Sequence, residues 1–141
     1  MTVFLDTSSL FKLYFQEEGS AEIDAFFAEN SINTVLISSI TVIEFRSIVW
    51  RKVRMKEVSS ADAQEIIRVF THDLSLYSII AIDDTLLQLA SQLIDKHGLN
   101  GLRSLDALQL ASAVTARDQV TLYKTADRLL NDLFKAEGLP V

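Results

Sequence analysis

The chain contains no cysteine, which excludes a disulfide framework, a thiolate metal site and a cysteine nucleophile. Its only two histidines, His72 and His97, fall near the expected C-termini of helices, where a cationic tip suits the dipole, so a histidine-based nuclease is not indicated. No apolar run reaches membrane-spanning length. The N-terminus meets Asp6 with no basic segment ahead of its apolar residues, so no secretory leader is expected and the cytoplasm is the expected location. Positive charge is in deficit: 13 Lys and Arg against 19 Asp and Glu leave a formal −6, which argues against broad, non-specific adhesion to nucleic acid. Repeats, linkers and low-complexity stretches are also missing. With 141 residues and 49% hydrophobic content, one domain spanning 1–141 with a proper core is expected.

What is present starts with Thr2-Val3-Phe4-Leu5-Asp6-Thr7-Ser8-Ser9. This β-branched and aromatic run suits a buried parallel strand, and it stops at a carboxylate followed by hydroxyl residues able to cap a helix. A short helix is expected through Leu10 to Phe15, broken at Gly19 and restarted by Ser20 as cap. That second helix should reach about Asn30 and bury Ile23, Phe26 and Phe27, spaced three and four apart. A second strand over 34–38 leads into a helix opening near Thr41 and reaching Met55, and a further helix over 59–72 makes a hairpin with it. A third strand over 76–82 precedes a helix capped by Asp83 or Asp84. After Gly98 and Gly101, Ser104 should cap an Ala-rich helix to Ala116. A fourth strand over 120–123, a helix to Ala136 and a short fifth strand over 139–141 complete the pattern. Strands alternating with helices throughout indicate an α/β fold with a parallel sheet covered on both faces.

Four acids share one local setting. Asp6 ends a strand, and Glu44, Asp106 and Asp127 fall in the first turns of helices entered from the carboxyl edge of the sheet. That edge is where ligands bind in open α/β folds. Converging carboxylates repel unless cations neutralise them; oxygen-only clusters suit Mg²⁺ or Mn²⁺, and such metals assist phosphate-ester hydrolysis. Each acid also has a plainer reading. Thr41-Val42-Ile43-Glu44 matches a capping box, and Asp106 and Asp127 could simply complement helix dipoles. Asp6 is harder to explain that way, because a carboxylate closing a buried strand is costly without a partner. Positive charge gathers at Arg46, Arg51, Lys52, Arg54 and Lys56, enough for a local basic face or for an ordinary solvated helix surface. Trp50, with Ile48, Val49 and Val53, suits either the core or an exposed apolar groove for a partner helix.

The motifs carry a resemblance. Phe4-Leu5-Asp6-Thr7-Ser8-Ser9-Leu10-Phe11-Lys12-Leu13-Tyr14, with Glu17-Glu18-Gly19-Ser20 after it, resembles the opening of PIN-domain proteins of the VapC toxin type. Ser38-Ser39-Ile40-Thr41-Val42-Ile43-Glu44-Phe45, the stretch from Gly101 through Asp106 to Ala111, and Thr125-Ala126-Asp127-Arg128-Leu129 resemble the second, third and fourth acidic motifs. The match covers essentially the whole chain, in order. It implies a three-layer α/β/α sandwich around a five-stranded parallel sheet and a Mg²⁺- or Mn²⁺-dependent ribonuclease. Asp6, Glu44, Asp106 and Asp127 would be its metal-binding acids, with Ser8 supporting Asp6 and Arg103 orienting carboxylates or meeting phosphate. Two departures are visible: Gln109 stands where many relatives have His, and Lys124 interrupts an otherwise apolar strand end.

The resemblance further implies an RNA substrate, a VapB-type antitoxin and a homodimer or larger toxin–antitoxin assembly. Arg46, Arg51, Lys52 and Arg54 are then candidates to contact RNA or the antitoxin. Phe11 and Trp50 are candidates for the antitoxin groove, because the apolar residues Phe11, Leu13, Tyr14 and Phe15 exceed what one helix face needs. Rival readings fit less well. A haloacid-dehalogenase pattern needs a second Asp where Ser8 stands, and a receiver domain needs its phospho-acceptor on a later strand. The remaining alternative is a PIN-fold interaction module without significant catalysis.

Overall fold

The computed structural model describes residues 1–141. Four strands, β1 (Thr2–Leu5), β2 (Thr34–Ser38), β3 (Ser78–Ile80) and β4 (Leu122–Lys124), form one sheet in the order β3-β2-β1-β4. All neighbours are parallel, with Phe4 opposite both Leu36 and Tyr123. Alternation along β1 divides the core into two layers. Phe4 points with Leu36 and Tyr123 to one face, while Val3 and Leu5 point with Ile37 to the other. The first layer is covered by α5 (Asp84–His97), α6 (Ser104–Thr115) and α7 (Arg128–Ala136), the second by α1 (Thr7–Phe11), α2 (Ser20–Glu29), α3 (Thr41–Arg54) and α4 (Ser60–Asp73). Both faces of a parallel sheet are thus buried, as its lack of hairpin connections demands. No helix is long and apolar enough to cross a membrane.

The chain runs from β1 outward through β2 to β3, then returns to place β4 on the other side of β1. The reversal opens a crevice at the carboxyl end of β1, which is the usual ligand position in such sheets. Asp6 is the residue standing there.

Several sequence expectations need correction. The sheet has four strands rather than five. Residues 139–141 form no strand, because Pro140 has no N–H to extend a ladder and its carbonyl accepts a single bond from Tyr123 N–H at 2.8 Å. The third strand is shorter than expected, since residues 74–76 coil into a 3₁₀ turn before Ser78. Helix α1 stops at Phe11, and the chain reaches Phe15 through turns. Gly19, in a left-handed conformation at φ 88°, occupies the cap position of α2. The Ser20 hydroxyl instead accepts from Glu17 N–H and donates to Phe15 O. Ser104 is likewise inside α6 rather than capping it, with Arg103 at the cap position.

Candidate active site at the carboxyl end of β1

Asp6 is 3% exposed, yet no Lys or Arg pairs with it. Its oxygens are held by neutral donors. Ser9 N–H donates to Oδ1 at 3.0 Å, so the side chain caps α1. Ser8 Oγ lies 2.9 and 2.8 Å from Oδ1 and Oδ2, and Thr125 Oγ1 donates to Oδ2 at 2.7 Å. The two hydroxyls are themselves fixed by the turn after β4: Ala126 N–H donates to Ser8 Oγ at 2.9 Å and Asp127 N–H to Thr125 Oγ1 at 3.0 Å. Ser8 thus links Asp6 to the turn after β4. Burial pushes the Asp6 carboxyl up to about 6; its hydrogen bonds oppose that rise and the charge of Asp127 adds to it.

Asp127 caps α7 by accepting from Leu130 N–H at 2.7 Å. Asp106, half-buried in the first turn of α6, has its carboxyl pushed up by burial and then by Asp127, against a downward pull from Arg103. Asp127 is therefore felt by both other aspartates. Glu44 reaches the site from α3. Its capping-box reading fails: Thr41 lies inside the helix, Ile40 holds the cap position, and no side chain caps there. Glu44 Oε1 instead accepts from Thr7 Oγ1 at 2.9 Å and from Gln109 Nε2 at 2.8 Å. With Arg103 and Asp106 it lines a cleft of about 410 Å³.

Gln109, 2% exposed, is the residue whose role the sequence did not reveal. Its Nε2 also lies 2.9 Å from Thr7 Oγ1 and 3.0 Å from Thr41 Oγ1, while its Oε1 has no partner. The amide ties α6 to the start of α1 and of α3, one turn beyond Asp106. The only sequence signal was its departure from a common histidine.

The donor chemistry fits a hard cation, since the four acids offer oxygen donors and no protein cation is paired to any of them. They form an open set, because no three are gathered closely enough to enclose a metal ion. Like charges resist closer approach.

The basic segment of α3 does not make one face. Arg46 turns to α4, donating to Thr71 Oγ1 at 2.8 Å. Lys52 is neutralised by Glu17 at 3.2 Å and Glu57 at 3.0 Å. Arg54 and Lys56 are exposed and unpaired. Arg51 alone of the five lines the cleft beside Glu44, with Ile43, Ile48 and Leu105. Phe11 is 2% exposed, packed on Phe15 and Phe45, so it belongs to the core and not to a partner-facing groove. Trp50, 37% exposed, is available at the surface, as are Ile43 and Leu105.

The sequence matches the family model described as PIN domain over residues 3–133. Among solved structures, the fold is similar to VapC20 of Mycobacterium tuberculosis, described as a sarcin-ricin loop cleaving toxin. The TM-score is 0.71 at 14% identity, covering 93% of this chain and 94% of that one. It is also similar to VapBC2 from Rickettsia felis, described as bound to a DNA fragment from their promoter, with TM-score 0.65, 19% identity and coverage of 99% and 96%. A search of curated proteins returns no match.

Proposed function

The chain belongs to the PIN domain family, and on that footing we propose that it is a metal-dependent endoribonuclease of the VapC toxin type. The observation that carries this reading is Asp6: a buried carboxylate without a cationic partner, fixed by three neutral donors at the crevice beside β1. Such a group costs stability, which supports a functional role for the charge it presents. The similarity in fold to a toxin described as cleaving the sarcin-ricin loop supports RNA as the substrate.

Asp6, Asp106 and Asp127, with Glu44, would hold Mg²⁺ or Mn²⁺. The bound cation would supply Lewis-acid polarisation of a phosphodiester and activation of a water. The chain's own residues orient the acids. Ser8 and Thr125 hold Asp6 in one rotamer, and Thr7 and Gln109 hold Glu44 without neutralising it. Arg103 and Arg51, both exposed beside the clefts, would meet the phosphates on either side of the acids.

A VapB-type antitoxin would cover this face, using the exposed Trp50, Ile43 and Leu105 as apolar contacts. Toxin–toxin pairing belongs to the same reading.

The test is cleavage of RNA by Asp6→Asn and Asp106→Asn variants. Both should lose metal-dependent activity, by roughly a thousandfold or more, while circular dichroism stays native. Full activity in both would sink the assignment, and an inert wild-type protein that still binds an antitoxin would favour an interaction module instead.

A further inference from the structure

Lys124 takes no part, through its side chain, in holding Asp6 or Glu44. It ends β4 opposite Leu5, and its carbonyl accepts from Asp6 N–H at 3.3 Å, so it adjoins the catalytic strand. Its stem is half-buried, and its ammonium makes no ion pair; Nζ lies 4.4 Å from the ring centre of Phe26 on α2. An aromatic face orients a cation but leaves its charge uncompensated. Nearby lysines are used differently, since Lys12 and Lys52 both pair with Glu17.

The space around Lys124 is joined to the acids. A cavity of about 260 Å³ is lined by Lys124, Lys12, Ser9, Thr125 and Ala126, with Glu22 at its wall. Ser9 and Thr125 are two of the three residues that hold Asp6. Lys12 and Ala126 also line the neighbouring cavity of about 240 Å³ that contains Ser8, Arg51 and Asp127. Arg51 and Ile48 continue into the cleft with Glu44, and Glu44 and Leu105 into that of Arg103 and Asp106. Shared walls thus link the cavities in series. The unpaired cations along the series are Arg103, Arg51 and Lys124, with the acids between them.

We propose that these linked cavities form one groove for a single-stranded stretch of RNA, in which Lys124 holds a backbone phosphate on the far side of Asp6 from Arg51. The inference rests on the ribonuclease reading and deepens it. Asp6 is recessed, so a phosphate has to be carried inward to reach it. A flexible single strand can follow that path, whereas a rigid duplex keeps its phosphates on the outside of a helix.

The experiment is binding of a single-stranded RNA oligomer by fluorescence anisotropy over a range of salt, in an Asp106→Asn background that leaves the RNA intact. Lys124→Met keeps the apolar stem on Phe26 and removes the charge. It should lower the slope of log affinity against log salt by about 0.7, the release expected for one phosphate contact on a single strand. Lys124→Arg should restore the slope, and Lys135→Met, which removes an exposed charge outside the groove, should leave it unchanged. In the active protein Lys124→Met should raise KM severalfold with kcat within a factor of two. An unchanged slope in Lys124→Met, or duplex RNA binding as tightly as the single strand, overturns the groove while leaving the ribonuclease reading standing. A parent protein that binds no RNA overturns both.

Discussion

Gln109 on α6 donates its side-chain amide to Glu44 on α3 at 2.8 Å, and the two residues are 65 positions apart in the chain. The donor is neutral, so Glu44 is oriented while its negative charge stays available to a cation. A lysine or arginine in that place would orient it too but would compete with the metal. The same amide reaches Thr7 and Thr41, so one side chain of α6 ties together the first turns of α1 and α3.

Gln109→Leu should therefore cost more in function than in stability. Losing donors to buried hydroxyls destabilises, but the change also removes the unpartnered Oε1, so a net loss of about 1 kcal/mol is expected in denaturant unfolding. The metal concentration for half-maximal activity should rise several-fold. An unfolding midpoint that collapses while metal dependence is unaltered would mean that Gln109 serves only packing.

Asp6 sets a pH signature for the metal-free protein. Its folded carboxyl is raised from 3.8 to about 6, so between those values the folded state binds more protons than the unfolded state, and stability falls as pH rises. The contribution lost by pH 7 is on the order of 3 kcal/mol. Asp6→Asn removes this group. The stability difference, variant minus wild type, should grow from about pH 4 to pH 6 and then level off, as measured by urea unfolding without metal. A difference that is flat across that window would show that Asp6 is not held protonated by burial.

Phe11 and Trp50 should separate stability from partner binding. Phe11→Ala opens a hole among Phe15, Phe45 and their neighbours and should cost about 3–5 kcal/mol. Trp50→Ala, on the exposed side of α3, should cost about 1 kcal/mol or less and should weaken capture of a VapB-type antitoxin. Equal losses of stability in the two variants would contradict this division, and unaltered antitoxin binding in Trp50→Ala would move the interface elsewhere.

Local chemistry made most of the fold legible. The strand over Thr34–Ser38, a cap at Asp83 or Asp84 and the stop of β1 at Asp6 all follow from nearest-neighbour rules, and the structure has them there, with Asp83 as the cap. What escaped depends on residues far apart in sequence. Glu44 fits a capping box on paper, yet its partners Thr7 and Gln109 come from two other helices. The apolar run after β1 suggests spare surface, but α3 and α4 bring Phe45 and Phe70 over it and fill that layer. The basic run of α3 is a patch only along the chain; the helix turns Arg46 and Arg51 to different neighbours. The fifth strand fails on one residue, Pro140, whose effect on a ladder depends on which side of it the sheet lies.

The proposed reaction at this acidic site is hydrolysis of RNA with a divalent cation. The most direct measurement is cleavage of total RNA by the purified wild-type protein, free of any partner, as Mn²⁺ or Mg²⁺ is titrated and then removed with excess EDTA. Discrete cleavage products should appear with the metal, disappear in EDTA and return when metal is restored. Cleavage that persists undiminished in EDTA would contradict the metal-dependent reaction.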